Sequence, residues 1–172
     1  MPRETFQQEL EEPVGEVEHL GRMVEGSLDN TVEAMEMRDP RLAHQEIGGD
    51  LRYKRRGAEI AHESMILQVR QAPVAGDLRL LYTAQTVTNH LVRSGTLAEH
   101  ICNAIVETAE PERDENLEAV IVEMAQRARD IFRGGLDIFD NRDINHARNL
   151  QADVRSHMPT SNGEDQTPPR HF

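Results

Sequence analysis

Gln71-Ala72-Pro73-Val74-Ala75-Gly76-Asp77-Leu78-Arg79 decides how this chain reads, through the helix that it opens. From Val74 to Ile105 the apolar or small residues fall at Val74, Leu78, Leu81, Ala84, Val87, Leu91, Gly95, Ala98, Ile101 and Ile105. Steps of three and four place them on one helical stripe with a period of about 3.5 residues. No proline interrupts the run, and Pro73 suits the first helical position. A helix of roughly 32 residues is about 48 Å long. Such a rod buries its stripe only if other helices lie along it.

Upstream, Leu10, Val14, Val17, Gly21, Val24, Leu28, Thr31 and Met35 repeat the pattern, which predicts a first helix from about Phe6 to Arg38. Pro13 falls about two turns into it and is a candidate for a kink or a delayed start. Asp39-Pro40 marks the boundary: Asp39 is a capping residue, and Pro40 fits a first turn. A second helix is expected from Pro40 to Gln71. Gly48-Gly49 weakens it by about 1 kcal/mol per glycine relative to alanine. Tyr53, Gly57, Ile60, Ser64 and Leu67 then resume the seam, and the small residues among them allow a neighbouring helix to approach closely.

Downstream, Pro111 and a charged run make residues 108–115 a linker. A fourth helix, about Asn116 to Arg142, carries Leu117, Val120, Met124, Ala128, Ile131, Gly135 and Ile138, flanked by Phe132 and Phe139. Here the chain repeats itself. Arg38-Asp39 with Ala43 matches Arg142-Asp143 with Ala147 at one constant offset, and each Asp is placed to end one long helix and cap the next. The expected organisation is a first three-helix repeat over residues 1–107, a partial second repeat over 116–158 forming a helical hairpin, and a disordered tail over 159–172 rich in Pro, Ser and polar residues. The fold class is all-α: an antiparallel three-helix bundle of long helices plus a shortened second helical repeat.

Aromatic residues are only 3% and tryptophan is absent, so the core has to be aliphatic. The formal charge of −12 disfavours nucleic acid, whose phosphates would repel the chain. Arg52, Lys54, Arg55 and Arg56 form the one basic cluster, read as a solvated helix face, with an anionic partner as the sharper alternative. Cys102 is the single cysteine, which excludes an internal disulfide and places a small hydrophobe beside the stripe. The N-terminus is polar from the outset and no apolar run is long enough to span a bilayer, so the expected location is the cytoplasm, without direct membrane insertion.

The string Gln-x-Pro-Val-Ala-x-Asp-Leu-Arg resembles the signature of the PhoU family, accessory and regulatory proteins of bacterial phosphate uptake. Phe6-Gln7-Gln8-Glu9-Leu10, Arg38-Asp39-Pro40-Arg41-Leu42-Ala43 and Arg93-x-Gly95-x-x-Ala98-x-His100-Ile101 extend the resemblance. It implies a regulator acting through protein–protein contacts rather than an enzyme. The implied partners are the ATPase of the phosphate transporter and a sensor histidine kinase. Family members commonly hold metal ions on an acidic-x-x-x-acidic motif, Glu-Arg-x-Gly-Asp. Here that place reads Val92-Arg93-Ser94-Gly95-Thr96, with Val92 and Thr96 where the acids would stand.

No metal site is therefore expected, nor any cofactor. His90 and His100 lie nearly three turns apart on one helix and cannot share an ion. Neither a nucleophile elbow nor a phosphate-binding loop is present, so no catalytic residues are assigned. Asp77, Arg79 and Arg93 keep the places of the family motifs, as structural or partner-contacting residues. The alternative function is a scaffold of the same fold whose phosphate link went with its acidic motif. The stripe on the fourth helix lacks a third helix to cover it. A homodimer is expected, with Met124, Ile131 and Ile138 in its interface.

Overall fold

The computed structural model describes residues 3–71, 73–108 and 114–157. Six helices account for nearly all of them: α1 (Arg3–Met37), α2 (Pro40–Glu46), α3 (Asp50–Gln71), α4 (Ala75–Glu107), α5 (Glu115–Asn141) and α6 (Ile144–His157). The expected tail over 159–172 and most of the expected linker lie outside the described residues. The chain is all-helical where it is described, with α1, the α2–α3 pair and α4 packed together as three rods.

Burial follows the seam of α1. Val17, Leu20 and Val24 are fully buried, against Tyr53 and Ile60 of α3 and Ala84 and Leu91 of α4. Each large aliphatic side chain so enclosed contributes about 1.5–3 kcal/mol of transfer free energy. Towards the α3–α4 turn the core narrows to Leu10, Leu67 and Leu81. At the other end Ala34, Ala43 and Cys102 close it. Pro13 lies inside α1 and is buried.

The second helix is not continuous, as the sequence reading had it. Gly48 adopts φ +93°, in the left-handed region that glycine enters without steric cost, and the chain restarts at Asp50. The restart is secured from elsewhere in the fold, because the Glu99 carboxylate of α4 accepts the Asp50 N–H at 2.7 Å. Close approach by small residues is realised beyond the break. A Cβ added at Gly57 would meet Val92 at 2.7 Å, and one at Gly95 would meet the Tyr53 ring at 2.4 Å.

The internal repetition is visible in the backbone. Arg38 and Arg142 both stand in the left-handed region at φ +53°, each closing a long helix. Each is followed by a capping aspartate: Asp39 accepts the Arg41 N–H, and Asp143 accepts those of Asn145 and His146. The α5–α6 hairpin folds back on α1, running antiparallel to it. Its contact face, however, is Phe132, Leu136 and Phe139, with Leu136 seated on Gly21. The residues expected to flank the seam of α5 therefore supply its attachment to the first bundle.

Candidate partner-binding surface

At the signature stretch, Val74 is the N-cap of α4 in extended conformation (φ −97°, ψ 152°), and its carbonyl accepts the N–H groups of Asp77 and Leu78. Pro73 thus precedes the cap instead of taking the first helical position. Val74 has no side-chain oxygen to cap the free N–H groups, and the Asp77 carboxylate sits in the first turn, where the helix dipole favours it. Leu81 is the first stripe residue that reaches the core. Val74 (73% exposed) and Leu78 (45%) do not, although the periodicity placed them on the buried stripe. Thr88 and Cys102 take core positions instead.

The outward residues of this end form an apolar surface with a basic edge. Tyr82, one turn beyond Leu78, is 68% exposed, and Met65 and Val69 of α3 are exposed as well. Leu78, Tyr82 and Arg79 line one groove with Gln68, of about 380 Å³. Arg79 is exposed, and no described carboxylate pairs with it. Asp77 is half-buried, so the two signature charges occupy different environments. Tyr82 and Val69 were not singled out from the sequence. Their signal was an apolar residue off the stripe, which by itself is common on protein surfaces.

The former acidic positions lie midway along α4. Val92 packs on Gly57. The Thr96 hydroxyl donates to the Asp50 carboxylate, which also pairs with Lys54 at 2.5 Å. These bonds, the Lys54 one foremost, hold the Asp50 carboxyl below the usual aspartate range. Thr96 therefore ties α4 to the first turn of α3. Arg93 is exposed on the opposite flank. His90 and His100 are exposed, and among the described residues no three His, Cys, Asp or Glu come together as a group able to hold a metal ion.

The basic cluster is largely neutralised within its own helix. Arg55 pairs with Glu59 at 3.2 Å and Arg56 with Glu59 at 2.9 Å and with Glu16, while the Arg52 guanidinium lies 6.0 Å from the Tyr53 ring centre. Cys102 is buried, 3.3 Å from the Thr31 hydroxyl, and burial pushes its thiol pKa up, which makes it an inert core residue. No described helix is long and apolar enough to cross a membrane.

A PhoU domain family model matches residues 17–105, which takes in α1 from Val17 through most of α4. The phosphate-specific transport system accessory protein PhoU of Edwardsiella tarda is 27% identical over 142 residues, covering 83% of this chain and 58% of that protein. Its Escherichia coli K12 counterpart is 29% identical over the same span and coverage. A PhoU homolog of Clostridium acetobutylicum is 28% identical over 148 residues, 86% of this chain and 67% of that protein. The chain thus spans roughly three fifths of the length of these relatives, and no solved structure matches it. With the family model covering more than half of the chain and the signature stretch opening its longest shared core helix, this protein belongs to the PhoU family.

Proposed function

We propose that this chain is a cytoplasmic accessory protein that regulates phosphate uptake or phosphate-responsive signalling through protein–protein contacts, without chemistry of its own. The observation that carries the reading is the outward display of the signature: Val74, Leu78 and Arg79 face solvent beside Tyr82 and contribute little to the core. Residues that folding does not need are free to serve recognition, and an apolar surface with an arginine at its edge is the composition of a contact site. The relatives named above are accessory proteins of phosphate transport, which makes the transporter ATPase and a sensor histidine kinase the partners to test.

The test is co-purification of the tagged chain from cells grown with and without phosphate. The wild type is expected to retain one of those partners, and Leu78→Asp and Arg79→Glu to lose it with helicity unchanged. Equal retention by wild type and variants would remove this surface from the proposal. A second reading, a scaffold uncoupled from phosphate, is favoured by Val92 and Thr96 at the acidic positions. It predicts that the partners retained do not change with phosphate supply.

A further inference from the structure

Helix α5 carries two apolar faces, and the fold uses one. Phe132, Leu136 and Phe139 lie on α1. The other face runs Leu117, Val120, Ile121, Met124, Ala128, Ile131 and Gly135, and stays exposed, with Leu117 at 59% and Met124 at 64%. The internal repeat tells what this second face was built for. At the offset that aligns Arg142 with Arg38, residues 117, 121, 124, 128, 131, 135 and 138 of α5 correspond to 13, 17, 20, 24, 27, 31 and 34 of α1. Every one of those α1 positions is buried, under α3 and α4. The exposed face of α5 is thus a core face without a cover among the described residues.

We propose that a second copy of this chain covers it, with the two α5 helices antiparallel across a two-fold axis beside Ala128. The proposal is independent of which partner the signature end binds. A two-fold interface requires the stripe to be complementary to itself read backwards, and this one is. With the axis beside Ala128, Met124 meets Ile131 of the second copy and Leu117 meets Ile138. Val120 meets Gly135, where an added Cβ would find nothing within 4 Å, so there is room for a branched side chain. Large residues of the N-terminal half fall on small or open places of the C-terminal half. The apolar area removed from water is on the order of 500 Å² per chain, at the upper end of what a monomer leaves exposed. With its polar rim it approaches the ~800 Å² per partner of a stable interface. An unrelated partner helix would bury the same stripe, but it would have no reason to match this reversed order of large and small.

The full chain at about 50 µM is expected to show twice its 19.5 kDa mass by light scattering. Ala128→Cys, an exposed small position, is expected to cross-link to a covalent dimer on mild oxidation, because its two copies meet beside the axis; Cys102 is buried and stays silent. Met124→Lys with Ile131→Lys is expected to weaken the dimer about 100-fold, as loss of central contacts does, with unchanged helicity. A monomeric wild type at that concentration would overturn the proposal and leave the face to another chain. A dimer in which Ala128→Cys does not cross-link would overturn it equally, by moving the contact elsewhere. If the double lysine variant fails to fold, the cysteine result alone decides.

Discussion

Asp29 and Arg133 hold the same position in the two repeats, 104 residues apart, and they form an ion pair with one another at 3.0 Å. Equivalent residues of two antiparallel helices can meet only where a local two-fold axis passes, so α1 and α5 cross at this pair. Around it the contacts are mostly charged. Arg133 also reaches Glu25 at 2.7 Å, Arg22 binds Asp140, Gln126 binds Glu36 at 2.5 Å, and Arg38 pairs with Glu118 at 2.8 Å. Most of these partners are substantially exposed and therefore screened by salt. Hydrogen exchange in α5 and α6 is expected to accelerate between 0.1 and 1 M salt while α4 holds its protection. Arg133→Glu, which faces two carboxylates, is expected to give that faster exchange already at low salt. Equal protection of all helices at both salt concentrations would contradict this.

The same junction sets a response to acid. Hydrogen bonds from Arg133 and then Arg22 hold the Glu25 carboxyl below its ordinary value, and Lys54 and Thr96 do the same for Asp50. A carboxyl whose folded pKa is depressed adds stability that is complete above its unfolded pKa and is lost as pH falls through the folded one. With unfolded values near 4.3 for Glu and 3.9 for Asp, the urea midpoint is expected to stay level from neutral pH to about 5 and to fall below about 4. Glu25→Gln should lower the plateau and flatten the fall. A variant with an unaltered slope would show that other carboxylates govern it.

Two glycines separate packing from propensity. At Gly95 an added methyl meets the Tyr53 ring, so Gly95→Ala is expected to destabilise by about 1–3 kcal/mol through overpacking. At Gly26, within α1, the same methyl meets nothing within 4 Å. Gly26→Ala should therefore stabilise by about 0.5–1 kcal/mol, the ordinary gain of alanine over glycine in a helix. Urea denaturation of both variants checks the pair, and changes of the same sign would refute the assignment of Gly95 to close helix packing.

Thr96 offers a third contrast. Thr96→Val removes the hydroxyl bond to Asp50 but leaves Lys54 in place, a loss of about 1 kcal/mol. Thr96→Asp sets a carboxylate against Asp50 and near Glu99 and is expected to lose about 2 kcal/mol or more, by like-charge repulsion near the surface. The larger loss should shrink as pH approaches 4, whereas the valine loss should persist. An aspartate variant as stable as wild type would mean that α4 moves away from α3 there.

Much of this architecture is written in local pattern. The seams of α1 and α4 announce long packed helices, and Asp39 and Asp143 mark the two equivalent boundaries because a capping side chain acts on the N–H groups two or three residues ahead. The break at Gly48-Gly49 was legible only as a weak point. Its completion depends on Glu99, 49 residues from the Asp50 N–H it receives. The choice of face on α5 was hidden for a similar reason. Periodicity finds two apolar faces there, and the one docked on α1 is selected by the space at Gly21 and by acids on α1 facing Arg129 and Arg133. At the signature end, Val74 and Leu78 continue the stripe faithfully but meet no core, since by then it has narrowed to Leu10, Leu67 and Leu81.

Among the described residues, α5 rests on α1 and α6 alone, and α4 faces it only across a groove of about 520 Å³ that includes Ile101, Leu117 and Ile121. This makes α1 a strut. Its N-terminal half underlies the narrowed core beside the signature turn, and the rest of its length carries the hairpin. A load applied to α5 is delivered to the first bundle along that one rod, as a shift or a twist of α1 between α3 and α4. The end at which Val74 and Tyr82 face solvent lies at the far tip of the same rod. A pull on the hairpin is thus felt, through stiff helix and not through loop, at the opposite end of the molecule.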